Sequence, residues 1–256
     1  MSSPRRGKST GTTWAGAATA ESGRVVVLPG VYNTRFHLQR FVRAVRERYP
    51  GFDADIRTWG ALWRPVHNVR AYARNLTTAR RIAEDLERWR RDHPHRRLYV
   101  VGYSGGGGLA VLAVASLSER VAVDRLVLIA PAISPAYPLG ERVFPRVREF
   151  VVNYASEKDL QVGWGTLVFG TMDRVKTKSA GAVGFAVTHP KLIEWRWSKV
   201  ADRHGHRGHH TGYLGARWQT GALLPALDPA VDAHALAAKW TELPHECGRR
   251  KPEAGA

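Results

Sequence analysis

The stretch Arg97–Leu117, RLYVVGYSGGGGLAVLAVASL, decides the fold class of this chain. Its first part is a run of apolar and β-branched residues, typical of a strand that is buried on both faces of a parallel sheet. A helix of small residues follows, from about Gly106 to Leu117. A buried strand that turns directly into a helix is the repeating element of a parallel α/β sheet.

Strands and helices alternate on both sides of this stretch. Further strands are predicted for RVVVLPG, DADIRTW, VDRLVLIAP, VREFVVNYAS and KLIEWRW, at 24–30, 53–59, 123–131, 147–156 and 191–197. Apolar residues at helical spacing predict helices over about 38–49 and 76–93, and a last helix from Ala216 that ends before Pro225. Right-handed βαβ crossovers then predict an α/β fold, a mainly parallel sheet with helices on both faces.

The length and composition suit one domain. The chain has 256 residues, of which 44% are hydrophobic, enough to bury one full-sized core. We predict a single α/β domain over residues 23–242. A disordered basic tail is expected at 1–22 and a second tail at 243–256, because both stretches lack hydrophobic periodicity.

The charge of the chain is strongly positive. Lys and Arg outnumber Asp and Glu by 39 to 22, for a formal net charge of +17. Such a balance can indicate a polyanionic partner. The arginines, however, are scattered along the whole chain, without helix-turn-helix or zinc-finger spacing. We interpret them as solvated basic faces and do not expect nucleic acid as a partner, with polyanion binding as the alternative.

Cysteine content and hydropathy bear on the compartment. Cys247 is the only cysteine, so an intramolecular disulfide is excluded, which is compatible with a reducing compartment. The basic first residues are not followed by the apolar stretch of roughly 7–15 residues that a secretory signal needs. The longest apolar run, around Leu109–Leu117, is too short to span a bilayer. We therefore expect a cytoplasmic, soluble protein without a membrane span, and its oligomeric state stays open.

The turn Gly102–Gly106 reads GYSGG, a G-x-S-x-G pattern between a strand and a helix. Such a turn strains the serine backbone and needs neighbours without side chains two positions away. The hydroxyl of Ser104 would stand at a helix N-terminus, whose dipole favours developing negative charge. We therefore predict Ser104 as a nucleophile. A phosphate cradle is the alternative, but no P-loop lysine follows, and G-x-G-x-x-G is absent after the first strand.

A carboxylate partner is expected where the strand at 147–156 ends and the chain continues as Glu157-Lys158-Asp159. A carboxylate at this rim of the sheet can accept a hydrogen bond from an imidazole. We choose Asp159, because it lies a short turn past the strand and is followed by apolar Leu160. Glu157 is the rival, and Asp173 is disfavoured because it lies well beyond the strand.

Four histidines follow the last predicted strand within seven residues. They are His204, His206, His209 and His210. A general base that reaches the serine must come from this loop, but the spacing alone leaves the choice open. Zinc is the competing interpretation, yet HxH…HH in one glycine-rich loop matches no standard ligand spacing, and we predict no metal.

Two backbone N–H groups are expected to bind an oxyanion beside the serine. Gly105, the residue after the nucleophile, would supply one. The loop after the first strand would supply the other from Val31 or Tyr32, and Gly30 would let this backbone approach a substrate closely.

With these residues identified, the chain resembles the α/β-hydrolase superfamily, and most of all small, lidless bacterial serine hydrolases, over about Arg24–Leu227. The specific motifs are LPG, GYSGG, LIAPAISP, YASEKD and GHHTGY, at 28–30, 102–106, 128–135, 154–159 and 208–213. In such proteins the catalytic histidine commonly lies in a G-H-x-G-aromatic context. The resemblance therefore favours His210, followed by Thr211-Gly212-Tyr213, with His209 second.

The resemblance implies hydrolysis of an ester or related acyl bond of a small molecule by Ser104, Asp159 and His210, without a cofactor. A large cap is not expected, because only about twenty-five residues separate Pro131 from Ser156. The segment Gly163–Phe185 is expected to replace the usual helix before the last strand, either lining the acyl pocket or as an irregular connection. Two other functions stay open, an acyltransferase with the same triad and a non-catalytic polyanion-binding protein on this scaffold.

Overall fold

A parallel sheet organises the part of the chain that the structure, a computed structural model, describes: residues 22–31, 35–60, 71–197 and 204–241. Its strands are β1 (Gly23–Leu28), β2 (Phe52–Ile56), β3 (Arg97–Tyr103), β4 (Val123–Ile129), β5 (Val147–Ala155) and β6 (Leu192–Arg196). They lie in the order β2-β1-β3-β4-β5-β6, and every pairing is parallel. The predicted fold class is confirmed. The tails at 1–22 and 243–256 lie outside these residues, apart from Ser22, and stay predictions.

The central strands are apolar on both faces because both faces are covered. Every residue of β1 and every residue of β4 is buried. Since successive strand residues point to opposite faces, this burial requires a layer on each side. The edge strands β2 and β6 are only partly buried, as expected where one side of a strand has no neighbour.

Helices connect the strands and form the covering layers. The elements are α1 (Arg35–Arg48), α2 (Tyr72–Asp92), α3 (Gly105–Ala115), α4 (Leu139–Arg142), α5 (Leu160–Phe169), α6 (Ala180–Val183), α7 (Ala216–Trp218), α8 (Leu224–Leu227) and α9 (Ala233–Thr241). Helix α2 packs on α3, and α1 packs on a π-helical turn, Gln219–Leu223, that joins α7 to α8. Within the described ranges, no helix combines the length and the hydropathy needed to cross a bilayer.

Two predicted boundaries are wrong. The strand predicted over 53–59 ends at Ile56, so Trp59 lies in the loop beyond it. The helix predicted to end before Pro225 continues to Leu227. Pro225 lies in the first turn of α8, directly after the π-helical turn Gln219–Leu223.

The segment 163–185 contains helix, contrary to the prediction that it replaces one. Helix α5 begins at Leu160, and the Asp159 carboxylate caps it by accepting hydrogen bonds from the N–H groups of Gln161 and Val162 at 3.1 and 3.3 Å. Two glycines lower the helix propensity of this stretch. The cap offsets part of that cost. Between β4 and β5 lie only α4 and a short 3₁₀ turn, so a large cap is absent there, as predicted.

Buried Arg125 on β4 fixes the C-terminal helices to the sheet. Its guanidinium donates to the Glu149 carboxylate at 2.5 Å and to the carbonyl oxygens of Ala226, Asp228 and Val231 at 3.1, 2.7 and 2.7 Å. A buried cation with this many acceptors satisfies its hydrogen-bonding groups away from water. The helices that follow the histidine loop are thereby anchored to the middle of the sheet.

Candidate active site

Ser104 occupies a strained turn between β3 and α3. Its backbone has φ 57° and ψ −125°, a conformation that residues with a Cβ rarely adopt. The Ser104 N–H donates to the carbonyl of Ile129 at 2.8 Å, and its carbonyl accepts from the N–H of Ala132 at 3.0 Å. These bonds to the end of β4 and the loop behind it hold the turn and keep the hydroxyl at the carboxyl edge of the sheet.

The glycines of the G-x-S-x-G pattern allow this turn to pack against its neighbours. A Cβ at Gly106 would lie 2.3 Å from the carbonyl oxygens of Leu28 and Pro29. A Cβ at Gly102 would lie 2.6 Å from the first turn of α3. Both separations are shorter than any van der Waals contact, so only glycine fits at either position.

The structure brings Ser104, His210 and Asp159 together from the loops after three strands. His210 Nε2 lies 2.9 Å from Ser104 Oγ, and His210 Nδ1 lies 2.6 Å from Asp159 Oδ2. Because an ionised carboxylate only accepts hydrogen bonds, Nδ1 carries the proton of the neutral ring and Nε2 accepts from the serine hydroxyl. The result is one continuous hydrogen-bonded chain over three side chains.

Asp159 is fully buried, and its carboxylate is satisfied on both oxygens. Oδ1 accepts the two N–H groups that begin α5, and Oδ2 faces the imidazole. Neither rival carboxylate contacts the ring. Glu157 is exposed on the turn, and Asp173 accepts bonds from Ser134 N–H at 3.0 Å and the Thr171 hydroxyl at 2.5 Å.

His210 lies in a 3₁₀ turn, His210–Leu214, that two other side chains hold in place. The Tyr103 hydroxyl donates to the His210 carbonyl at 3.0 Å, and the two rings stack with centroids 4.9 Å apart. Burial raises the pKa of the Tyr103 phenol, so this donor keeps its proton. The Ser156 hydroxyl donates to the Gly208 carbonyl at 2.8 Å, which ties the same loop to the end of β5.

His206 is fully buried beneath the loop, where its ring packs among aromatic side chains and supports the backbone. Its Nδ1 accepts the Gly208 N–H at 2.8 Å, so its proton resides on Nε2. The ring meets those of Tyr213 and Trp218 edge to face, at 4.0 and 4.7 Å between centroids. Burial lowers the pKa of His206 to about 4, and the ring is neutral at neutral pH. His209, the rival base, is exposed.

The loop after β1 lies against the turn of Ser104. A Cβ at Gly105 would lie 2.5 Å from Val31 Cγ1 and 3.3 Å from the Trp59 ring. Gly105 is the first residue of α3, so its N–H has no partner within that helix. Val31 and Gly105 are therefore neighbours, and Tyr32 lies outside the described residues.

Sequence reasoning missed Trp59, Tyr103 and Ser156, and it offered His206 only as one of four candidate bases. Trp59 Nε1 donates to the Pro29 carbonyl at 2.7 Å and so fixes the loop that carries Val31. Its signal was available, because it follows β2 at the edge of the sheet where ligands of parallel sheets bind. Tyr103 and Ser156 support the loop of His210 through contacts between residues far apart in the chain, for which the sequence carries no pattern.

The features described define the class of fold. A parallel sheet carries a serine on a strained strand-to-helix turn, and Ser104, Asp159 and His210 follow in the chain order of α/β hydrolases. The chain has the α/β-hydrolase fold, as its resemblance to that superfamily implied.

Comparison with solved structures finds esterases and other hydrolases of similar architecture. An acetylxylan esterase is 14% identical, with 80% of this chain and 97% of that chain covered and a TM-score of 0.47. Esterase PE8 is 15% identical, with 80% and 91% covered and a TM-score of 0.48. MGS-MChE2, an α/β hydrolase from the metagenome of lagoon sediments at Mar Chica, Morocco, is 14% identical, with 80% and 90% covered and a TM-score of 0.44.

No protein-family model and no curated protein matches the chain. We therefore take its function from the residues of the site and not from these likenesses.

Proposed function

We propose that this protein is a serine hydrolase that cleaves an ester or related acyl bond of a small molecule. The observation that carries the proposal is the hydrogen-bonded chain from Ser104 through His210 to buried Asp159. A serine beside a base that is oriented by a third group is the arrangement that nucleophilic acyl transfer requires.

In the first step Ser104 attacks the acyl carbon. His210 Nε2, 2.9 Å from the hydroxyl oxygen, takes the proton as the new C–O bond forms. Asp159 holds the proton of the imidazole on Nδ1 and stabilises the imidazolium, because its fully buried carboxylate lies 2.6 Å away. The imidazolium then protonates the leaving alcohol, and an acyl-serine remains.

The negative charge of the tetrahedral intermediate is expected to face two backbone N–H groups, those of Gly105 and of Val31 or Tyr32. Gly105 begins α3, so the helix dipole adds to this stabilisation. The packing of Val31 over Gly105 supports the pairing of these two donors. Loss of one such donor costs about 2.7–4 kcal/mol in other serine enzymes.

In the second step water attacks the acyl-serine. His210 takes a proton from the water and returns it to Ser104 as the carboxylic acid leaves. Neither step needs a cofactor. An alcohol in place of water would give acyl transfer, and product analysis with an added alcohol distinguishes the two outcomes.

The test is the intact mass of the protein after incubation with a fluorophosphonate. We expect a single adduct on the wild type and none on Ser104→Ala. Ser118→Ala, which removes an exposed serine elsewhere, is the matched control and should label fully. Folded wild-type protein without an adduct would refute the proposal and favour a non-catalytic binding protein.

The cytoplasmic location stays a prediction that cell fractionation tests.

A further inference from the structure

Helix α5 exposes large apolar side chains along its outer side. Leu160, Trp164, Val168 and Phe169 are 65%, 64%, 59% and 43% exposed, and we call them the α5 apolar face. The first three repeat every four residues and so lie in one row along the helix. The opposite side of α5 is buried on the protein through Val162, Gly163 and Thr166.

This exposure is concentrated in one place. Of the large hydrophobic side chains that are exposed in the described residues, all but Phe36 lie between Leu160 and Val175. Single exposed apolar residues are normal on a protein surface, but a contiguous group marks an interaction site. The exposed apolar side chains are not needed to hold α5 on the protein, because the Asp159 cap and the buried side of the helix already do so.

The charges around the face are mostly positive. No charged residue occurs between Leu160 and Met172, and exposed cations flank this stretch, namely Lys158, Arg174, Lys176 and Lys178. Nearby Asp173 is engaged in hydrogen bonds within its own loop, and Glu157 is the one exposed acid at this margin in the described chain. An apolar helix face with a cationic margin suits the boundary between the headgroups and the acyl chains of an anionic membrane.

We propose that α5 docks this protein onto an anionic lipid surface. The α5 apolar face enters the region below the headgroups, and the four flanking cations contact the anionic headgroups. A second copy of the chain is the less suitable occupant, because a formal net charge of +17 on each copy opposes self-association.

The docking face lies directly beside the proposed active site. Helix α5 begins one residue after Asp159, whose carboxylate bonds both the first turn of α5 and His210. A lipid-borne ester would therefore meet the protein close to Ser104. The docking itself does not depend on acyl chemistry, so the two proposals can fail separately.

Binding is measured by flotation with vesicles of phosphatidylcholine alone or mixed with phosphatidylserine. The Ser104→Ala protein is used, so that hydrolysis plays no part. We expect binding to the mixed vesicles that weakens as salt increases. The double substitution Leu160→Gln with Trp164→Gln should weaken this binding at least about tenfold, since it removes two apolar groups without a change in charge. Trp164→Phe should bind nearly as the parent does.

The cationic margin is tested by a matched pair of charge changes. Lys176→Gln with Lys178→Gln should weaken binding about fivefold for each lysine, as expected for cations close to an anionic membrane. Arg80→Gln with Arg81→Gln removes the same charge from the exposed side of α2 and should leave binding close to that of the parent. Equal effects of the two pairs would overturn the proposal in favour of attraction by overall charge.

Fluorescence locates the inserted side chain. Brominated lipids should quench the parent protein more than Trp164→Phe, because Trp164 is the tryptophan expected to enter the membrane. Unchanged binding of the Leu160→Gln, Trp164→Gln variant would overturn the proposal, as would a wild-type dimer that this variant dissociates. Fluorophosphonate labelling of the same variant with Ser104 restored shows that its fold and the Asp159 cap are intact.

Discussion

Buried His206 should make the stability of the protein depend on pH in a way that one substitution removes. Its pKa is about 4 in the folded protein against 6.5 for an ordinary histidine, because burial penalises the charged ring. The folded state therefore favours the neutral ring. The stability that comes from keeping this ring neutral is fully present above pH 6.5 and is lost as the pH falls towards 4. The gap corresponds to about 3 kcal/mol in the free energy of unfolding.

The substitution is His206→Asn. The asparagine Oδ1 replaces Nδ1 as the acceptor for the Gly208 N–H, so the loop keeps that hydrogen bond. The ring contacts with Tyr213 and Trp218 are lost, which lowers stability at every pH. The part of the pH dependence of stability that comes from protonation of residue 206 disappears in the variant.

Urea unfolding of both proteins at a series of pH values measures the effect. Carboxylates also titrate in this range, but they contribute to both proteins, so the difference between the two curves isolates His206. We expect the wild type to lose about 2 kcal/mol more than the variant between neutral pH and about pH 4.5. Parallel curves would refute the assignment of a neutral, buried ring to His206.

Three further predictions concern the site and its supports. Asp159→Asn should lower the turnover of an activated ester about 10⁴-fold. Glu157→Gln on the same turn should leave the turnover within about twofold of the wild type. Trp59→Phe keeps an aromatic side chain but loses the bond to the Pro29 carbonyl, and kcat/KM should fall about fivefold, the value of one hydrogen bond. Arg125→Met should lower the free energy of unfolding by about 3–5 kcal/mol in urea titrations, because it removes a buried donor from the Glu149 carboxylate and from three carbonyl oxygens. A loss below about 1 kcal/mol would contradict that account of Arg125.

The sheet could be predicted from the sequence because buried parallel strands are written as continuous apolar runs. The segments at 24–30, 97–103 and 123–131 are predicted in this way, whereas DADIRTW at 53–59, with two aspartates and an arginine, has no such run. The helices between the strands predict the parallel direction. The strand ends were less certain. Trp59 looks like a strand residue by its neighbours, but the chain leaves the edge of the sheet after Ile56.

The residues brought together at Ser104 could be predicted because each follows a strand at the same edge of the sheet. Position and residue type predict Ser104 and Asp159, whereas four histidines within seven residues leave the base open, and only the family resemblance favours His210. Helix α5 could not be predicted, since apolar residues on both of its sides and two glycines obscure the helical period. The exposed row of apolar side chains on α5 could therefore not be predicted either.

The two roles of the Asp159 carboxylate restrict which residue this position tolerates. One oxygen caps the N-terminus of α5 and the other orients His210. The side chain must therefore be short enough to cap the helix. Glutamate carries the same charge, but its additional methylene moves the carboxylate away from the N–H groups of Gln161 and Val162. A conservative exchange of one acid for another would therefore disturb the helix and the imidazole together. At this position the length of the side chain matters as much as its charge.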